Sequence, residues 1–218
     1  MYAAVNGTRI YYEIIGKGRP LMMIHGNGED HGIFDVAVKK LRDKFKIYLI
    51  DLRGHGKSDP AEEYHYEQMA EDLNDFMRLY HLEDLAYFGY SDGGILGLLL
   101  AMKSDRISRL IISGANLTPK GLKPICRLKI AMLWRFKKDP KVKMMMEEPS
   151  IDENDLLSIK VKTTVIAGQR DLVSYDETKK IADHIPDSRL RIIKNESHGS
   201  YIVHSEKIAD ILKEELNG

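Results

Sequence analysis

The sequence has little cysteine and no excess of charge of either sign. Cys126 is the only cysteine, so no disulfide can form within the chain, and we expect a reducing compartment, the cytoplasm. Lysine and arginine total 33, as do aspartate and glutamate, so no overall field attracts nucleic acid or an anionic membrane. We therefore expect a small-molecule partner.

Long apolar runs are also missing. No stretch reaches the ~20 apolar residues of a membrane-spanning helix, and the N-terminus lacks the basic start and apolar run of a signal peptide. There are no internal repeats. The length of 218 residues suits one domain with a modest insertion, and both a monomer and a homodimer remain open.

Strand-like and helix-like patterns alternate along most of the chain. Apolar runs at 21–24, 46–50, 85–88 and 107–113 indicate buried strands. Stretches with helical periodicity lie between these four runs. Strands at 162–167 and 190–193 and helices at 176–184 and 202–216 complete the pattern. This alternation predicts an α/β fold with a mostly parallel sheet, whose antiparallel edge is a hairpin within residues 1–16.

Residues 117–158 interrupt the alternation. This stretch is rich in proline and holds Trp134, and it predicts two or three short helices that cap a core formed by residues 1–116 and 159–218. Nine lysines and arginines lie between Lys120 and Lys143 against one acid, Asp139. These charges either attract an anionic substrate or form solvated helix faces. Trp134 is a candidate substrate contact.

The stretch from Leu85 to Leu100 carries the clearest chemical signal. It predicts a strand, a glycine-rich turn and a helix, and the turn Gly89–Gly93 reads G-x-S-x-G. A serine on such a sharp turn is exposed at the carboxyl end of a sheet, which suits a nucleophile. Ser91 is therefore the candidate nucleophile, and the alternative is a glycine turn that happens to hold a serine.

A serine nucleophile needs a histidine base and a carboxylate that orients the base. His198 follows the last predicted strand, whereas His81 and His184 lie in predicted helices. Asp171 leaves the strand at 162–167, and the residues after the strand at 107–113 include no carboxylate. We therefore predict a catalytic triad of Ser91, His198 and Asp171.

The loop at His25–Gly28 predicts the remaining part of the site. Glycines on both sides of Asn27 let the backbone present N–H groups to an anion. We predict an oxyanion hole formed by the backbone N–H groups of Asn27 and Asp92, the latter at the start of a helix. The Asp92 side chain has two interpretations: it pairs with a substrate ammonium, or it stabilises the helix start.

Five motifs in order resemble the α/β-hydrolase superfamily along nearly the whole chain. They are HGNG at 25–28, DLRGHGKS at 51–58, GYSDGG at 89–94, GQRD at 168–171 and SHG at 197–199. The variant at the serine turn is similar to small esterases related to valacyclovir hydrolase, also called biphenyl hydrolase-like. The predicted cap is shorter than in those esterases.

The resemblance implies an eight-stranded, mostly parallel sheet with helices on both faces and a short helical cap. It also implies cleavage of a small carboxylic ester through an acyl-enzyme, with no cofactor and no metal. A carbon–carbon bond hydrolase, a thioesterase and an amidase would use the same three residues. A non-catalytic ligand-binding protein on the same scaffold is the alternative of another class.

Overall fold

An eight-stranded sheet forms the centre of the computed structural model, which describes residues 1–216. The strands are β1 Tyr2–Val5, β2 Thr8–Ile15, β3 Arg19–Ile24, β4 Phe45–Ile50, β5 Leu85–Tyr90, β6 Ile107–Ser113, β7 Thr163–Arg170 and β8 Ser188–Ser197. The strand order is β1-β2-β4-β3-β5-β6-β7-β8, with antiparallel pairing of β1 with β2 and of β2 with β4 and parallel pairing elsewhere. The prediction of a mostly parallel sheet with an antiparallel edge is confirmed.

Helices cover both faces of the sheet because side chains alternate along each strand. The helices outside residues 117–158 are α1 Asp35–Leu41, α2 Tyr66–Leu79, α3 Asp92–Lys103, α6 Tyr175–His184 and α7 Lys207–Leu216. On β3, Met22 and Ile24 pack with helices α2 and α3, whereas Leu21 and Met23 pack on the other face with α1 and α7. All four side chains are fully buried, as a strand covered on both faces requires.

Two strands are longer than the sequence pattern indicated. β7 continues to Arg170 and β8 to Ser197, and these two residues pair across a register shift. The residues Asp171 and His198 therefore follow directly after paired strand ends. The last helix begins at Lys207 rather than at residue 202, because turns occupy the residues before it.

The edge strand β8 is held to α7 by one buried carboxylate. Glu215 of α7 accepts hydrogen bonds from Arg191 of β8 at 3.0 Å, Thr164 of β7 at 2.6 Å and Arg109 of β6 at 3.1 Å. Three neighbouring strands thus share one anionic partner, which is itself fully enclosed.

Residues 117–158, called the cap segment here, contain two α-helices and two short 3₁₀ helices. Helix α4 spans Pro124–Lys137 and α5 spans Pro140–Glu147, between 3₁₀ helices at Pro119–Gly121 and Glu153–Ser158. The segment's last part packs against the sheet, since Ile151 and Leu156 belong to the same core as α2 and α3. In contrast, Cys126 is the only buried residue of α4.

The longest helices of residues 1–216 have 14 residues. None of the helices in this part of the chain combines the length and the apolar character that crossing a membrane requires.

Candidate active site

The turn between β5 and α3 exposes Ser91 at the carboxyl edge of the sheet. Ser91 has φ 54° and ψ −115°, a conformation that costs a non-glycine residue about 1–3 kcal/mol and persists only where surrounding structure enforces it. Its backbone N–H donates to Ser113 at 2.8 Å. Gly26 lies directly against it, because a Cβ added there would be 2.9 Å from the Ser91 Cβ. The strand, helix and neighbouring loop together fix the hydroxyl.

The structure brings Ser91, His198 and Asp171 into one hydrogen-bonded chain. His198 Nε2 lies 3.0 Å from Ser91 Oγ, and His198 Nδ1 lies 2.6 Å from Asp171 Oδ1. Because a carboxylate can only accept, Nδ1 carries the proton and Nε2 accepts from the serine hydroxyl. In this tautomer the imidazole is oriented to remove a proton from Ser91.

Asp171 is kept ionised although it is buried. Burial alone would raise its pKa, but the hydrogen bond and charge of His198 outweigh burial and lower the pKa below its ordinary value. The backbone N–H groups of Val173 and Gly168 also donate to its two oxygens, each at 3.1 Å. The carboxylate therefore remains available to stabilise a protonated imidazole.

Two backbone N–H groups beside Ser91 are free to bind an anion. Within residues 1–216, neither Asn27 N–H nor Asp92 N–H donates to a backbone or side-chain acceptor. Asp92 is also the first residue of α3, where the helix dipole favours negative charge. This arrangement suits the predicted oxyanion hole.

His25 anchors the loop that presents Asn27. Its Nε2 accepts from Leu52 N–H at 3.0 Å, and its Nδ1 donates to the carbonyl oxygen of Gly26 at 2.8 Å. Burial, together with the charge of His55, lowers the pKa of His25 to about 4. His25 is thus a neutral structural residue, and it is not part of the proton relay.

The Asp92 side chain points into the site instead of capping α3. Its carboxylate accepts from Tyr66 Oη at 2.8 Å and from Asn27 Nδ2 at 3.0 Å. Burial raises its pKa, although those two hydrogen bonds oppose the shift. The residue also lines the cavity above Ser91, so an ammonium contact remains a proposal.

The cavity above Ser91 has a volume of about 600 Å³ and is roofed by the cap segment. Its apolar roof comes from α4, α5 and the residues before α4, namely Leu122, Cys126, Ile130, Leu133, Val142 and Met145. Trp134 does not line this cavity. Its indole lies on another side of α4, in a separate depression with Tyr64 and Pro140. Consecutive residues of a helix are rotated by about 100°, so Trp134 points away from the side on which Leu133 faces the cavity. The geometry gives it no contact with a substrate at Ser91.

Glu29 is a cavity residue that the sequence reasoning missed. Its Oε2 accepts from Gly26 N–H at 3.1 Å, and burial raises its pKa. The carboxyl therefore fixes the turn between His25 and Asn27 while it faces the cavity. The available signal was an acid two residues after Asn27 in a loop that otherwise offers backbone groups.

One cluster of metal-ligating side chains occurs in the part of the chain that the structure describes. Asp30, His31 and Asp51 offer three such groups. Asp51 Oδ1 accepts from His31 N–H at 2.8 Å and from its Nδ1 at 2.6 Å, and Asp30 Oδ1 accepts from Gly32 N–H at 2.7 Å. Ordinary hydrogen bonds therefore account for this arrangement.

Comparison with known proteins identifies the family. The model of the alpha/beta hydrolase fold matches residues 19–138, which is more than half of the chain. The chain belongs to the α/β-hydrolase family. The esterase EaEST from Exiguobacterium antarcticum superposes on this α/β-hydrolase with a TM-score of 0.88 at 22% identity, over 100% of this chain and 99% of that one. The predicted eight-stranded α/β-hydrolase fold is confirmed.

Sequence relatives point to the same family. The AB hydrolase superfamily protein YisY of Bacillus subtilis is 26% identical to this chain over an alignment 255 positions long, which covers 95% of each protein. The human protein named Serine hydrolase BPHL is 32% identical over 123 residues, 52% of this chain and 42% of the relative. The predicted resemblance to biphenyl hydrolase-like proteins is thus confirmed, and family membership supports a hydrolase.

Proposed function

We propose that this α/β-hydrolase cleaves a small carboxylic ester through Ser91, His198 and Asp171. The observation that carries the proposal is the unbroken hydrogen-bonded chain from Asp171 through His198 to Ser91 on the floor of the cavity. A serine hydroxyl is a weak nucleophile at neutral pH, and this arrangement supplies both the base and the group that orients it.

The reaction has two acyl-transfer steps. Ser91 Oγ attacks the ester carbonyl carbon while its proton moves to His198 Nε2, and the carbonyl oxygen becomes an oxyanion beside the N–H groups of Asn27 and Asp92. As the carbon–oxygen bond to the alcohol breaks, His198 returns the proton to the leaving oxygen. Water then attacks the acyl-enzyme, gives a proton to His198 and releases the acid as Ser91 regains its hydrogen.

The charge distribution of the site supports this direction of proton transfer. The imidazolium formed at His198 is paired with Asp171, whose pKa lies below its ordinary value. The oxyanion forms beside the positive end of α3, on the floor of the cavity. One oxyanion-hole donor typically contributes about 3 kcal/mol to the lowering of the barrier.

The residues that line the cavity bear on the class of ester. The cap segment lines the cavity with apolar side chains and with Lys129, Lys137 and Lys141, whereas Asp92 offers a buried carboxylate one residue from the nucleophile. We propose that an ester carrying an α-amino group is a preferred substrate, because its ammonium would pair with Asp92. Carbon–carbon, thioester and amide substrates use the same proton relay, so they are alternatives that an activity screen distinguishes.

A fluorophosphonate probe tests the nucleophile directly. We expect labelling that maps to Ser91, that heating the protein abolishes and that is absent from Ser91→Ala. The matched control Ser113→Ala removes a buried hydroxyl of the adjacent strand and should keep the label if it folds. A folded protein that stays unlabelled would instead favour the non-catalytic binding protein.

Substrate class requires a second experiment. Hydrolysis of p-nitrophenyl esters of graded acyl length, of amino-acid esters, and of matched thioesters and amides should show carboxylic esters as the best class. All of this activity should disappear in Ser91→Ala. A vinylogous diketone in the same screen tests for cleavage of a carbon–carbon bond. Faster cleavage of thioesters, of amides or of this diketone would contradict the ester assignment while leaving the nucleophile in place.

A further inference from the structure

Helix α4 has apolar side chains on two faces, about a third of a turn apart at 3.6 residues per turn. Its inner face contributes Cys126, Ile130 and Leu133 to the roof of the catalytic cavity. Its outer face carries Ile125, Leu128, Met132 and Phe136, which are 58%, 55%, 53% and 80% exposed. The spacing of these four residues places them in a single stripe along the helix. The inner stripe is explained by the cavity, whereas the outer stripe has no partner in residues 1–216.

Two cations flank this outer stripe. Helix α4 and the residue after it carry five lysines and arginines and no acid, namely Arg127, Lys129, Arg135, Lys137 and Lys138. By helical spacing, Lys129 and Arg135 lie on the two sides of the stripe. Within the described residues, none of the five forms an ion pair, and the nearest pairs in sequence join Lys141 to Asp139 and Lys143 to Glu147. The positive charge of α4 is therefore not neutralised by the protein.

These features favour one kind of partner over a second copy of the chain. Pairing two α4 helices through their outer faces would bring Lys129 and Arg135 of one copy against the same two residues of the other with no acid between them, which is repulsive. A lipid surface with anionic headgroups meets both requirements, since it accepts apolar side chains and attracts lysine and arginine. Cys126 is the only buried residue of α4, so the outer face of the helix is accessible to a flat surface.

We propose that the outer face of α4 is a docking site for an anionic lipid surface. The helix would lie in the plane of the interface, with the four apolar side chains inserted and Lys129 and Arg135 at headgroup level. The balanced charge of the whole chain does not oppose this, because charges beyond about 8 Å are screened at physiological salt. Docking is independent of the proposed reaction, although it would bring the roof of the cavity to the lipid.

Vesicle sedimentation tests the proposal without any activity measurement. The probes are vesicles of phosphatidylglycerol and phosphatidylcholine in equal parts and vesicles of phosphatidylcholine alone. We expect the full chain to bind the anionic vesicles more tightly and to lose binding as salt is raised. Phe136→Gln should weaken binding about tenfold or more, and Arg135→Gln about fivefold.

Leu157→Gln is the matched control, because Leu157 is 50% exposed but lies in the 3₁₀ helix at Glu153–Ser158, away from α4. It should bind as the unaltered chain does. Each variant is checked by its thermal unfolding midpoint, which should not change at such exposed positions.

Three results would overturn the proposal. They are absence of binding to anionic vesicles at low salt, equal binding to both kinds of vesicle, and equal loss of binding in Phe136→Gln and Leu157→Gln. A fourth such result could come from light scattering, which measures the oligomeric state. A dimer that Phe136→Gln dissociates would identify the outer face as a contact between two copies of the chain.

Discussion

Acidification should weaken the fold through His25, the residue that anchors the oxyanion loop. Both ring nitrogens are used in the neutral form, one as acceptor from Leu52 and one as donor to Gly26. Protonation would place a second N–H against the Leu52 N–H. Burial, with the charge of His55, accordingly lowers the pKa of His25 to about 4.

The magnitude follows from the difference between the folded and unfolded states. An unfolded histidine has a pKa of about 6.5, so on acidification the unfolded chain binds the proton first. The stability that neutral His25 contributes is complete above about pH 6.5 and is lost as the pH falls towards 4. Between about pH 7 and pH 5 this loss amounts to about 2 kcal/mol, a large part of the stability of a typical domain.

Urea unfolding at several pH values measures this loss, and His25→Gln isolates it. Glutamine can still accept and donate a hydrogen bond, but it does not titrate. The variant should be less stable at neutral pH, yet it should lose about 2 kcal/mol less than the unaltered chain on acidification. Groups that do not interact with His25 titrate alike in both proteins and cancel in the comparison.

A constant free-energy difference between the two proteins across this pH range would refute the reasoning. An independent measurement is the NMR titration of the His25 ring in the unaltered protein. Its resonances should not move down to about pH 5. A midpoint near the ordinary histidine value would contradict the assigned environment even if the variant failed to fold.

Three further predictions concern catalysis. Asp171→Asn should lower kcat about 10⁴-fold by favouring the wrong imidazole tautomer, and a small effect would contradict the relay. Gly114→Ala should also lower kcat, because a Cβ there would lie 2.5 Å from the His198 ring at a residue with φ +67°; Gly7→Ala, which meets no atom within 4 Å, is the control. Asp92→Asn should reduce discrimination between α-amino esters and their des-amino analogues, and equal discrimination would end the ammonium proposal.

Much of the fold was predictable because its determinants are local. Buried parallel strands have continuous apolar sequences, and the turn around Ser91 has its own glycine pattern. The three relay residues could be nominated since each follows a predicted strand, and parallel strands bring their carboxyl ends to the same edge. Their mutual distances required the structure.

Other features depend on contacts between distant segments. The extension of β7 and β8 results from pairing between Arg170 and Ser197, which neither strand encodes alone. The position of Trp134 depends on which side of α4 faces the cavity, and a helix with apolar residues on more than one side does not reveal it. Glu29 acquires its place in the cavity only when the loop folds back over Gly26.

The position of β8 has a consequence for how activity would be lost on heating. His198 follows the edge strand β8, whereas Ser91 follows β5, which lies three strands further into the sheet. Partial detachment of β8 would separate the base from the nucleophile while the rest of the fold stays intact. The Glu215 contacts that tie β8 to α7 then set the temperature at which activity is lost. Inactivation should begin at a lower temperature than global melting, and the gap should widen in Glu215→Gln.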